Sequence, residues 1–249
     1  MHTGISHLAF NSIRQDQLFA LFDLGLSNFE IVLSKVSISD FADSIALIKK
    51  AGFSIESAQS ILFGSGVSDL TDQLFVDYIK KVIPIYESLG VKTLVLGSPS
   101  QRVTPNFDKL ADSFFQLDQI LSNIGITICI EPNSRKYGGN YFFNVQSISN
   151  FIDEGNFSNI KTMIDSHNLI LEGLDPSTEL IKYSSLIHHI HVSEIELAGF
   201  VESTVHSNLS RTLSDIKYSG LITYEVLNSK NLIHEVSAFK KCFAENNLS

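Results

Sequence analysis

Apolar residues along the chain repeat one arrangement: a stretch with helical spacing, a glycine or polar stop, then a short β-branched run. The runs fall at 5–10, 29–33, 53–58, 92–97, 125–131, 160–165, 187–193 and 221–226. Between them, Phe41, Ile45 and Ile48 lead to Gly52, and Leu74, Tyr78, Ile79, Val82 and Ile85 lead to Gly90. Gly25, Gly52, Gly90, Gly125 and Gly220 sit where a helix must turn back toward a strand. Asp40, Asp69 or Thr71, and Asn106 are predicted N-caps, and Pro84 is expected to kink or break the third helical stretch.

Strands alternating with helices imply parallel pairing through right-handed crossovers. Eight such units fill about 250 residues, the size of a closed (β/α)8 TIM barrel of the α/β class. The alternative, an open doubly wound sheet, is weakened because no GxGxxG or GxxxxGK[ST] follows the first strand. With no linker, charge block or low-complexity tract, residues 1–249 are expected to form a single domain, with 246–249 a frayed tail.

The chain has 44% hydrophobic and 18% charged residues, which argues for a folded core and against disorder. Its formal charge of −9 makes nucleic acid a poor partner. Cys129 and Cys242 form no CxxC-type cluster, so no disulfide framework or zinc ribbon is encoded. No stretch approaches a membrane span and no signal sequence is evident, so a cytoplasmic location is expected.

Barrel chemistry sits at the carboxyl ends of the strands. Period-2 alternation sends Glu131, Asp165, His191 and Glu225 inward at the ends of the last four strands, at spacings of 34, 26 and 34 residues. Three carboxylates crowded together repel unless a cation intervenes, and three oxygen donors with one imidazole suit one divalent metal ion. Mn2+ is favoured, with Mg2+, Co2+ and Zn2+ as alternatives.

The segments IEPN at Glu131, DSHN at Asp165, HIHVSE at 189–194 and YEV around Glu225 resemble the xylose-isomerase-like superfamily over essentially the full length. That superfamily includes ketose epimerases, inosose dehydratases and apurinic/apyrimidinic endonucleases. The resemblance implies a metal-dependent isomerase or epimerase acting on a sugar or sugar phosphate, with metal ligands Glu131, Asp165, His191 and Glu225. Glu131 and Glu225 would be the catalytic acid and base, moving a proton beside a carbonyl through an enediolate. Substrate contacts are expected from His167, Glu194, Asn133, Glu30, Gln59 and Arg102, where Arg102, with Arg135 and Lys136, would accept an anionic group. Ketose epimerases carry an arginine where this chain has Leu197 and a second carboxylate where it has Tyr137, so the familiar free-ketohexose pocket is not reproduced.

Blander roles compete. A strand-end Asp is commonly a helix N-cap, Cys129 reads as barrel filling, His189 as a packed neighbour of His191, His188 as facing the helix layer, and His7 as core. Two other activities share the scaffold. Loss of a β-hydroxyl after the same proton abstraction would make the protein a dehydratase. A phosphodiesterase acting at abasic DNA would need histidines that the SKVSIS and AQSILFG segments lack. A barrel that binds a carbohydrate without turning it over is the non-enzymatic alternative, and a homodimer through the outer helices is compatible with the fold.

Overall fold

The computed structural model describes residues 2–36, 40–102 and 106–244; the tail expected to fray, 246–249, lies outside them. The described residues contain eight strands: β1 (His2–Ser6), β2 (Asn28–Glu30), β3 (Ser57–Ala58), β4 (Thr93–Leu96), β5 (Thr127–Ile130), β6 (Ile160–Asp165), β7 (Ile187–Ser193) and β8 (Leu221–Glu225). They pair in parallel in the order β2-β1-β8-β7-β6-β5-β4-β3. Between β2 and β3 the ring closes through main-chain bonds: Phe29 N to Ser54 O at 2.8 Å, and Ile31 N to Ser57 O and Gln59 N to Ile31 O at 3.0 Å each. The protein is a single (β/α)8 barrel.

The helices wrap the ring in sequence order: α1 (Gln15–Asp23), α2 (Phe41–Lys50), α3 (Gln73–Leu89), α4 (Phe107–Leu121), α5 (Val145–Gly155), α6 (Ser166–Leu171), α7 (Pro176–Lys182), α8 (Thr204–Asp215) and α9 (Leu232–Ala244). Outward strand residues such as Ile5, Phe29, Ile128, Ile164, Ile190 and Tyr224 are fully buried against them. Inward residues Val95, Cys129 and Met163 form a separate apolar plug in the bore, which leaves the polar strand ends to line the space above it. No described helix is long and apolar enough to cross a membrane.

Several local expectations are corrected. The first strand lies three residues earlier than the apolar run, because the Ser6 side chain accepts from Leu8 N and curls His7–Ala9 into a 3-10 turn. Asp72, rather than Asp69 or Thr71, caps α3; Asp69 instead accepts from Thr71 N just before it. Helix α3 runs through Pro84, an exposed position where water can satisfy the carbonyl that loses its donor. Gly90 is left-handed at the end of α3, whereas the turn after α8 uses Lys217 with φ 54°, not Gly220. His188 does not join the helix layer: a register shift between β6 and β7 falls there, and its Nε2 lies 3.2 Å from Thr93 Oγ1.

Candidate active site

The period-2 pattern brings Glu131, Asp165, His191 and Glu225 together at the carboxyl end of the bore. His191 Nδ1 lies 3.3 Å from Glu131 Oε1, 3.4 Å from Glu225 Oε2 and 3.9 Å from Asp165 Oδ2. One donor atom from each of the four residues falls within 4.8 Å of the others. A six-coordinate shell with bonds of about 2.1 Å has neighbouring donors about 3.0 Å apart and opposite ones about 4.2 Å apart, so small shifts would close this set on a cation.

The imidazole is already oriented for that role. Its Nε2 lies 2.8 Å from Glu30 Oε1, an acceptor-only group, so Nε2 carries a proton. Its Nδ1 is buried and makes no hydrogen bond. A buried nitrogen without a partner, facing three carboxylates, fits a divalent cation. The electrostatics point the same way. Burial alone would lower the His191 pKa, yet the Glu30 and Glu225 carboxylates raise it well above the usual imidazole range. Burial raises Asp165 and Glu225, with neighbouring carboxylates adding to the effect. Without a cation, these groups must take up protons to coexist.

Two of the three carboxylates, Asp165 and Glu131, are held from behind. Asp165 is both a helix cap and a member of the cluster: Oδ1 accepts from Asn168 N at 2.8 Å and Ser193 Oγ at 3.0 Å, leaving Oδ2 toward His191. Glu131 Oε2 accepts from Asn133 Nδ2 at 3.0 Å and lies against Gly97, the last inward residue after β4. Gly97 was not singled out from sequence, although its inward parity at a strand end was a readable signal.

A cavity of about 400 Å3 opens above the cluster, walled by Gln59, Gly97, Asn133, His167, Glu196 and Leu197 among others. Of the expected substrate contacts, Gln59, Asn133 and His167 line this cavity. The His167 ring pairs with Tyr137 Oη at 2.7 Å. Tyr137 and Glu196 were not anticipated as wall residues.

Three expected substrate contacts are corrected. Arg102 is fully buried, and its guanidinium donates to the carbonyls of Leu96 (2.7 Å), Glu131 (2.8 Å) and Phe142 (3.1 Å), so it braces the β4 and β5 ends and presents no cation. Glu30 lies inward but beneath the cavity, between His191 Nε2 and His189 Nε2 at 2.8 Å each; burial would raise its pKa, but the two imidazoles hold it well below the carboxylate range. Glu194 turns aside, accepting from Val201 N at 2.9 Å beside His206. His189 is thus a packed neighbour of His191, and the Cys129 thiol, raised by burial, fills the bore.

The fold and this cluster define a (β/α)8 barrel with an arrangement fit for a cation at the carboxyl end of its strands. More narrowly, the model of the xylose isomerase-like TIM barrel matches residues 19–242, and the chain belongs to that family. Solved structures share the fold at low sequence identity. D-psicose 3-epimerase from Clostridium cellulolyticum H10 is 15% identical, with a TM-score of 0.77 over 99% of each chain. The 3-keto-D-glucoside 4-epimerase of E. coli is 17% identical, with a TM-score of 0.76 over 100% of each. An AP endonuclease of family 2 from Brucella melitensis is 16% identical, with a TM-score of 0.76 over 97% of this chain and 99% of that one. No curated protein matches the chain in sequence.

Proposed function

We propose that the protein is a divalent-metal-dependent sugar isomerase or epimerase that moves a proton on a carbon beside a carbonyl. The observation that carries this reading is the unpartnered His191 Nδ1 facing Glu131, Asp165 and Glu225 in the floor of a sugar-sized cavity. Two of the structurally similar proteins are epimerases of D-psicose and of a 3-keto-D-glucoside by name, which supports a carbohydrate substrate.

Glu131, Asp165, His191 and Glu225 would hold the ion, which when bound would polarise the substrate carbonyl. Glu131 and Glu225 come from strands on different sides of the cluster and reach the substrate from two directions. One accepts the proton and the other returns it, so delivery to the opposite face gives an epimer and delivery to the neighbouring carbon gives an isomer. Asn133 steadies Glu131 and keeps a free Oδ1 for a hydroxyl donor. His167, paired with Tyr137, offers a polar edge at the wall.

Phosphodiesterase action on abasic DNA is disfavoured by the chemistry of the cavity, whose walls carry no lysine or arginine among the described residues. The test is incubation of Mn2+-loaded protein with free ketoses in D2O. Deuterium entering a carbon next to the carbonyl, lost in Glu131→Gln and Glu225→Gln, is the expected result. Loss of water from the substrate would reassign the protein as a dehydratase. Full turnover by either glutamine variant would refute the two-glutamate mechanism.

A further inference from the structure

The loop after β7 holds two consecutive non-glycine residues in the left-handed region, Glu196 (φ 60°) and Leu197 (φ 52°). Side chains other than Gly, Asn or Asp rarely adopt this conformation, and such strain persists where the surroundings enforce it. Here Leu197 N donates to Glu194 O at 2.9 Å and Leu197 O accepts from Leu227 N at 3.0 Å. Both residues line the cavity. The Glu196 carboxylate makes no hydrogen bond or ion pair among the described residues, though its charge acts on Tyr137 and His167 across the opening.

The charged side chains that line the opening have one sign, although Lys136 acts on His167 from outside the wall. Among the described residues the wall carries four carboxylates, those of Glu131, Asp165, Glu225 and Glu196, and no lysine or arginine. A divalent cation on the inner three would still leave the wall acidic. The cations nearby are committed elsewhere. Arg102 is spent on three carbonyls, Lys35 on His7 O and Phe10 O, and Arg135 on Glu172 and the Phe143 ring; Lys136 is exposed outside the wall. None of the residues outside the described set is basic.

We propose that Glu196 is a specificity-determining residue: its strained corner holds an acceptor-only carboxylate over the cavity, where it binds hydroxyls remote from the reacting carbons and excludes phosphorylated sugars. An ionised carboxylate can accept from two adjacent hydroxyls but repels a phosphate dianion. The proposal rests on the sugar isomerase or epimerase reading and names the substrate class of that site as uncharged sugars.

The experiment measures deuterium incorporation by the Mn2+-loaded full chain with D-fructose and L-ribulose, each against its terminal phosphate ester. A free ketose should exchange about 100-fold faster than its ester. Glu196→Gln should raise KM for that ketose about tenfold, with kcat within about threefold, as expected for one charged hydrogen bond made away from the reacting carbons. Glu196→Lys should narrow or reverse the preference against the ester. Glu196→Gly should melt about 2–4 °C higher while binding the ketose more weakly, because glycine relieves the left-handed backbone. Faster exchange of the ester, an unchanged KM in Glu196→Gln, or a Glu196→Gly variant no more stable than the parent would each overturn the proposal and leave the epimerase reading standing. No exchange with any of the four compounds would overturn that reading, and the proposal with it.

Discussion

Replacing Gly97 with alanine tests the placement of Glu131 by a single methyl group. A Cβ built on Gly97 would stand 1.7 Å from Glu131 Oε2 and 2.9 Å from its Cδ, where real Cβ contacts essentially never fall below 3.0 Å. The carboxylate oxygen must therefore retreat by at least about 1.3 Å, the difference between 3.0 and 1.7 Å. That movement is opposed on two sides, since Oε2 is held by Asn133 Nδ2 at 3.0 Å and Oε1 faces His191 Nδ1 at 3.3 Å. Displacing a group in a metal site typically costs about 10–100-fold in metal affinity, and misplacing a reacting group by about 1 Å costs about 100-fold in rate. The fold should tolerate the change. Overpacking costs about 1–3 kcal/mol, partly offset by about 0.4–1 kcal/mol from the stiffer unfolded chain. The assay is calorimetric titration with Mn2+ beside thermal melting, with Gly139→Ala as the control because its Cβ would meet only ordinary contacts at 3.5–3.6 Å. Metal affinity in Gly97→Ala within about threefold of the parent would refute the idea that Gly97 sets the position of the Glu131 carboxylate, since it would mean that Oε1 keeps its place while Oε2 turns away.

Two other substitutions separate structural from functional charge. Arg102→Met should cost about 3–5 kcal/mol, because three buried carbonyls together lose a charged donor, with Leu96 O and Phe142 O keeping only the main-chain bonds from Glu131 N and Asn133 N, and melting should fall by about 6–20 °C; unchanged stability would mean that the guanidinium serves the cavity after all. His7 is buried, and burial together with the charge of Lys35 depresses its pKa to about 4, while Val32 N donates to its Nδ1. Between about pH 6.5 and pH 4 the unfolded chain binds a proton at this position that the native state does not. Stability should therefore be intact above about pH 6.5 and fall as the pH drops, by up to about 3 kcal/mol. His7→Asn keeps an acceptor for Val32 N and should flatten that acid limb of a denaturant-midpoint profile; a limb equally steep in the variant would show that the loss arises elsewhere.

What could be read in advance divides at the ends of the strands. Along β5 to β8 the side chains alternate with a period of two whatever their partners are, so Glu131, Asp165, His191 and Glu225 could be placed on one side of the sheet from local pattern alone. Period gives the face but not the depth. Glu30 was correctly placed inward, yet its role depends on His191, 161 positions away, which is a fact of closure rather than of local sequence. β3 was overestimated for a related reason: only Ser57–Ala58 form a ladder, and the run before them serves mainly as a bridge that seals β2 to β3. Past the last strand residue the alternation carries no information, and there direction depends on backbone angles that composition does not encode. Arg102 and Glu194 look like cavity residues by position, but a 3-10 turn aims one into the wall and a bond to Val201 N draws the other aside. Glu196 shows the converse. No propensity rule places a glutamate at positive φ, so only the backbone reveals that Glu196 from this loop lines the space above the cluster. The inner acidic cluster thus followed from periodicity, whereas the outer wall of the cavity depends on loop geometry that periodicity cannot reach.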